Sequence, residues 1–360
     1  MLKFSKTVRV GAVALIIGAA GLSMNAGASA ASTTSADQLA PVDIVAVSGL
    51  LDDVVVAEIE TAIERSTTNG AQAIVLQVNS RGAVVSRERM AKVLEKISSA
   101  TIPVAVWVGP TGARAYGLSA QILTVADVTA MAPGARIGYS GELLSVDGAP
   151  VSFGSADSTL TNSSVGFSDA RKLGVLKNVG TDEGVPVVRN MLYALDGLTI
   201  DGQILDTVVE SLDSTGLVVR DATTARFFKL GLMGQLMHTV ASPPVAYLLF
   251  AIGLSLLIFE FFTAGIGIAG FVGAVCLVLG VYGLAALPVN LWAVALIVLS
   301  VLAFAIDVQV GVPRLWTGIG LGLFTIASLT LYQPIDGSSM RMSWLTLVCG
   351  IAMMALAFIV

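Results

Sequence analysis

The chain has 360 residues, 55% hydrophobic and only 12% charged, with a mean hydropathy of +0.84; it is too apolar for an ordinary soluble protein and long enough for more than one domain. A net charge of −5, with no stretch that concentrates Lys and Arg, argues against a nucleic-acid partner. Two cysteines inside apolar runs (Cys276, Cys349) and one histidine (His238) exclude a CxxC metal or redox site and a multi-histidine zinc site, and exclude any Ser-His-Asp triad in the first two hundred residues.

Residues 1–30 read as a secretory signal peptide. Lys3, Lys6 and Arg9 precede a short apolar run, and Ala28-Ser29-Ala30 forms an A-x-A cleavage signature. An uncleaved anchor is the alternative. Residues 31–41 read as a flexible leader. From Val42 to Ala222 the pattern is α/β. The run VDIVAVSG predicts a buried strand, and DDVVVAEIETAIERSTTNG a helix ending at Gly70. AQAIVLQVN predicts a second strand, VSRERMAKVLEKISSA an amphipathic helix, and IPVAVWVGP a third strand. A helix beginning near Arg114 and a fourth strand at ADVTAMAP follow. This alternation predicts βαβ units around a parallel sheet. LLSVDGAPVSF predicts a hairpin turning at Asp147-Gly148. SDARKLGVLKNVG predicts a helix capped at Ser168, and LDGLTIDGQILDT a small strand pair.

Residues 223–243 read as an interfacial amphipathic helix, with Arg226, Lys229 and His238 toward lipid headgroups. His238 fits an interfacial or capping residue better than a ligand. Residues 244–360 hold five apolar runs, at about 245–263, 267–287, 289–306, 313–332 and 343–360. Each is near the roughly 17–25 residues that cross a bilayer. Glycines within the runs suit close helix packing, and Trp292, Trp316 and Trp344 sit where interfacial anchors sit. Cys276 and Cys349 read as small buried apolar residues. Glu260 and Asp307 are the polar candidates in or beside the spans; a carboxylate there is functional or structural, and Glu260 lies near a helix end. The signal peptide places the α/β domain on the extracytoplasmic side.

Four stretches resemble the NfeD proteins, membrane-bound serine peptidases of the ClpP class. They are VDIVAVSG through NSRGA, GPTGARAYGLSAQILTVADVTAMAPGARIG, SDARKLGVLKNVG with LDGLTIDGQILDT, and PPVAYLLF through LPVN. The resemblance implies a ClpP/crotonase-like α/β domain followed by an all-α transmembrane bundle. It implies a Ser-Lys dyad and an oxyanion turn with two glycines, and neither cofactor nor metal. It also implies peptide or membrane-protein segments as ligands, a stomatin/flotillin-type partner in the bilayer, and homo-oligomers.

The motif residues depart from that pattern. Gly112-Ala113-Arg114-Ala115 resembles the family's GARA, which places Gly117 at the nucleophile position, where no side chain can attack. Ser119 is two residues away, about 200° around a helix, and is the alternative nucleophile. The oxyanion turn corresponds to Asn79-Ser80-Arg81-Gly82-Ala83; Ala83 replaces a glycine, and Arg81 replaces a proline and is expected to fill the cleft. Tyr116 and Ser140 are further cleft candidates. The segment that carries the family's lysine is replaced by VSFGSADSTLTNSSVG, which has no lysine. Lys172 and Lys177 read as solvent-facing helix residues.

Three functions are therefore expected to compete. The first is an inactive peptidase homologue that binds or scaffolds. The second is a peptidase with a relocated site, using Ser119 or Ser140 with Lys172 or Tyr139. The third is a transporter or channel component using Glu260 and Asp307.

Overall fold

The computed structural model describes residues 39–177, 183–212, 214–263, 267–310, 315–337, 340 and 342–359, which belong to one compact unit. The expected signal peptide and most of the leader lie outside the described residues.

In chain order the α/β part begins β1 Val42–Leu51, α1 Asp53–Thr68, β2 Ala73–Ala83, α2 Arg87–Ser98, β3 Val104–Val108, β4 Arg114–Tyr116. It continues α3 Ile122–Val125, β5 Val128–Met131, β6 Arg136–Gly138, the hairpin β7 Ser145–Val146 and β8 Ala149–Pro150, then α4 Asp157–Asn162, β9 Ser164–Gly166 and α5 Phe167–Lys172. It closes with α6 Val188–Leu195, β10 Thr199–Ile200, β11 Gln203–Ile204, β12 Val208–Leu212, β13 Val218–Ala222 and β14 Ala225–Phe228. The α7 helix Leu232–Val240 leads into α8 Pro243–Thr263, α9 Ile268–Ala285, α10 Leu291–Val310, α11 Leu315–Thr330 and α12 Trp344–Ile359.

The early strands are continuous β-branched runs because the sheet is parallel and covered by helices. The side chain of Asp52 caps α1 by accepting from Val55 N at 2.9 Å, and Ser86 caps α2 by accepting from Arg89 N at 3.1 Å. The central strand is β2. Its residues Ile74–Val78 pair with β3, but at Ser80 it pairs instead with β4. One arm of the sheet continues β3–β5 and the other β4–β6–β9, parallel except for the last pair. The sheet thus forks after Val78, and the end of β2 faces the turn that follows β4. Both expected hairpin turns are present. Asp147-Gly148 and Asp201-Gly202 all have positive φ, as a two-residue type I′ connection requires.

Three local expectations change. The segment from Arg114 starts as a strand, and helical turns begin only at Gly117. The cap of α5 is Gly166, because β9 runs straight into the helix and leaves Ser168 as its second residue. The expected helix over 223–243 begins only at Leu232. Its first part is β14, which pairs parallel with Val42–Val45 and satisfies an otherwise open edge of β1. Arg226 accordingly does not reach toward headgroups. It forms a bidentate pair with the fully buried Asp43, at 2.6 and 3.0 Å.

Among the described residues, α8, α9 and α10 are long and apolar enough to cross a membrane. The other two expected spans are the shorter apolar helices α11 and α12, of 16 residues each, so each rises only about 24 Å. Helices α8 and α9 pack backbone to backbone. A Cβ at Gly253 would lie 2.6 Å from Leu277 N, and one at Gly280 2.5 Å from Phe250 N. Cys276 is half-buried and Cys349 exposed, because both face outward from the bundle instead of into its core.

At the α1 end of the α/β part, two sets of contacts reach the helices. The ring of His238 in α7 meets the second oxygen of the α1 cap, Asp52 Oδ2, at 2.7 Å. Leu50 and Val84 pack against the apolar cluster of the helices. The Asp52 hydrogen bond holds the His238 imidazolium above its ordinary value of 6.5, against the opposing effect of burial. A raised histidine contributes stability that is complete below the unfolded value and is lost as pH rises through the folded one. The detergent-solubilised chain should therefore lose stability as pH rises from near 6.5 through that higher value. His238→Gln should flatten this slope in thermal melts at several pH values.

Candidate functional site

The fork of the sheet brings three turns together: Ser80–Ala83 at the end of β2, Tyr116–Ser119 after β4, and Gly138–Gly141 after β6. Gly82, Gly117, Gly138 and Gly141 all have positive φ, which lets the backbone turn sharply at each strand end. The Gly117 N–H donates to Tyr139 O at 3.1 Å, tying the second turn to the third. Tyr116 and Tyr139 stack edge to face, with ring centroids 5.3 Å apart. A cavity of about 260 Å³ remains, lined by Ala83, Val85, Arg87 and Leu118 on one side and Pro334, Ile335 and Asp336 on the other.

Most of the cleft residues expected from the sequence meet here. Gly117 is buried at the centre. Ser119 is fully buried, and its hydroxyl donates to Tyr116 O at 2.7 Å and approaches Ser80 O at 3.4 Å. That hydroxyl ties the turn to itself and to β2 and does not point at an incoming ligand. Ser140 is also fully buried, with its hydroxyl toward Gly141 O. In the turn expected to form the oxyanion site, Gly82 has a positive φ, but its N–H faces Ser80 Oγ at 3.4 Å and its carbonyl accepts from the same hydroxyl at 2.8 Å. Arg81 is exposed on the turn and does not fill the cleft.

The lysines fare differently. Lys172 is exposed at the end of α5, as expected. Lys177 lies beyond the end of that helix and is half-buried. Its ammonium donates to Thr124 O at 2.7 Å and Ala126 O at 3.1 Å, beside the start of β5. Burial lowers its pKa, with Asp127 acting in the opposite sense. A lowered lysine is what a Ser-Lys dyad needs, yet this one is held by two carbonyls away from the turns of the cleft.

The occupant of the cleft comes from the connector between α11 and α12. A Cβ on Gly117 would lie 2.3 Å from Asp336 O, and one on Gly82 would lie 2.8 Å from Ile335 Cδ1. A Cβ on Gly141 would meet the Asp336 carboxylate at 2.6 Å. Real Cβ atoms do not come so close, so these glycines are what admit the segment. Arg87 stands 4.0 Å from the Asp336 carboxylate while also 3.5 Å from Glu142.

The two membrane carboxylates have structural partners. Glu260 accepts from Gly267 N at 2.7 Å and Gly270 N at 3.3 Å, at the N-terminus of α9. Asp307 accepts from Thr317 N at 2.5 Å, at the N-terminus of α11. Each carboxylate meets the positive end of the next helix, where an anion is favoured.

Residues 244–360 match the family profile of the NfeD integral membrane domain. The chain carries an NfeD membrane domain. It is also 24% identical over 293 residues to the membrane-bound protease PH1510 of Pyrococcus horikoshii, a match covering 73% of this chain and 63% of that protein. A match of that length extends beyond the NfeD domain into the α/β domain, and the chain spans less than two thirds of that relative's length. Among solved structures, the 1510-N membrane protease specific for a stomatin homolog from Pyrococcus horikoshii is similar at 17% identity and a TM-score of 0.41, over 56% of this chain and 98% of that one. An enoyl-CoA hydratase from Shewanella pealeana is similar at 14% identity and a TM-score of 0.28, over 35% of this chain and 58% of that one. The segment that fills the cleft thus belongs to the NfeD domain.

Adding a side chain at residue 117 should be harmful. Gly117→Ser should destabilise the chain by about 1–3 kcal/mol through overpacking against Asp336 O, while Ser119→Ala should cost only about 1 kcal/mol for its lost hydrogen bond. Thermal melts of both variants check the difference.

Proposed function

We propose that this protein is a membrane-anchored serine-peptidase homologue that does not cleave peptide bonds. Its α/β domain serves as a binding or scaffold module in membrane organisation or membrane-protein quality control. One observation carries the proposal: the residue at the nucleophile position is Gly117, and the space for its side chain holds a backbone carbonyl. Covalent catalysis needs a nucleophile, a base within hydrogen-bond reach and donors aimed at the oxyanion. The first is missing. Lys177 is engaged elsewhere, and the Gly82 N–H faces Ser80.

The signal-peptide pattern at 1–30 supports an extracytoplasmic α/β domain on a multi-pass anchor of five spans, with α11 and α12 as the two short ones. The ligand class proposed is a peptide or membrane-protein segment. A stomatin-type partner is supported by the substrate named for the 1510-N protease. Homo-oligomerisation is proposed on the NfeD/ClpP-class resemblance alone. A relocated site at Ser119 is disfavoured because its hydroxyl is buried and held by carbonyls. A transport role is disfavoured because Glu260 and Asp307 each anchor a helix end.

The full chain in detergent should show no turnover of a mixed peptide library and no labelling by a serine-directed fluorophosphonate. Ser119→Ala should change neither result. Cleavage that disappears in Ser119→Ala would replace this proposal with a working protease.

A further inference from the structure

The NfeD helices are folded so that one connector is aimed at the α/β domain. Tyr332 pairs with Val289 of the connector between α9 and α10, and its hydroxyl donates to Pro243 O at 2.6 Å. Gln333 N donates to Pro288 O at 2.9 Å, and the Gln333 amide donates to Asn290 Oδ1 at 3.0 Å. These bonds fix the direction of the chain just before Pro334. The next three residues enter the cleft.

The fit is reciprocal. On the cleft side, positions 82, 117 and 141 are all glycine, and a Cβ at any of them would come within 3 Å of Ile335 or Asp336. On the connector side, residue 337 is also glycine. A Cβ there would lie 2.7 Å from Gly117 N and 2.8 Å from Tyr116 Cβ, and its φ of +81° disfavours any other residue. Four glycines from two parts of the chain therefore form one close contact. Ile335 supplies the apolar part, while Asp336 lies toward Arg87 in an exposed pair that contributes little by itself.

We propose that Pro334–Gly337 is a resident intramolecular ligand of the cleft, lying where an external peptide would lie and holding the NfeD domain to the α/β domain. The proposal deepens the peptide-binding function given above and rests on it for the identity of the cleft. It also links two features. A serine at 117 and the resident segment exclude each other, so a filled cleft and a lost nucleophile are a single structural state. An external peptide must displace the segment, and its apparent affinity is reduced by the fraction of clefts that are closed.

The test uses the full chain in lipid nanodiscs and has two arms. In the first, a benzophenone amino acid replaces Ile335 and is photo-activated. The expected crosslinks join it to the peptide containing Gly82–Val85 or to the one containing Leu118. Crosslinks confined to the helices would overturn the proposal. In the second, a fluorescein-labelled copy of Tyr332–Gly337 (YQPIDG) is titrated against the wild type, Gly337→Val and Asp336→Arg. Both variants should bind at least about tenfold more tightly than the wild type, as an unmasked site does. Measurable binding that is equal in all three chains would overturn the proposal. Crosslinking in the first arm with no peptide bound by any variant would uphold the resident segment and instead remove the external-peptide function.

Discussion

A carbonyl oxygen and a side chain cannot occupy one place, and at residue 117 the carbonyl of Asp336 holds it. Much of the molecule can be related to that contact. The sheet must fork after Val78 so that the ends of β2 and β4 open toward the same side. The turns at 82, 117 and 141 must be glycine. The helices must return twice to the α/β domain so that the connector after α11 reaches the cleft. The last is incompatible with any side chain at residue 117.

The helical part achieves that return with few polar groups. Glu260 and Asp307 each bridge from one helix to the N-terminal amides of the next, which closes two antiparallel hairpins at the end away from the α/β domain. A carboxylate inside lipid is costly unless it is satisfied, and helix N-termini have the unpaired donors to satisfy it. Glycines in α8 and α9 then let the first hairpin close backbone to backbone. At the near end, Asp52 serves two elements at once, capping α1 with one oxygen and receiving His238 with the other.

The features legible in the sequence are those with local causes. Hydrophobic period and turn chemistry located the early β-α-β order, the Asp-Gly hairpins and the apolar runs, because each is dictated by adjacent residues. That residue 117 carries no side chain is read directly from the sequence, whereas the carbonyl that takes its place is not. What escaped depends on distant partners. The Ala225–Phe228 stretch, with Arg226, reads as the start of a helix, yet it is a strand because β1 has an edge to fill and a buried Asp43 to neutralise. Lys177 reads as solvent-facing until two carbonyls near β5 are found beside it. Ile335 and Asp336 gave no signal in sequence beyond Pro and Gly nearby. Four glycines scattered over more than 250 residues become one feature only in three dimensions.

The most direct measurement is the accessibility of the cleft in the intact chain. A single cysteine placed at the cleft wall (A83C), with Cys276 and Cys349 replaced by serine, can be timed in its reaction with a small maleimide. It should react slowly in the otherwise native chain. Reaction should quicken by an order of magnitude or more when Pro334–Gly337 is exchanged for a flexible Gly-Ser linker. Fast labelling that does not change with the exchange would mean that the segment does not occupy the cleft, and the account would fail.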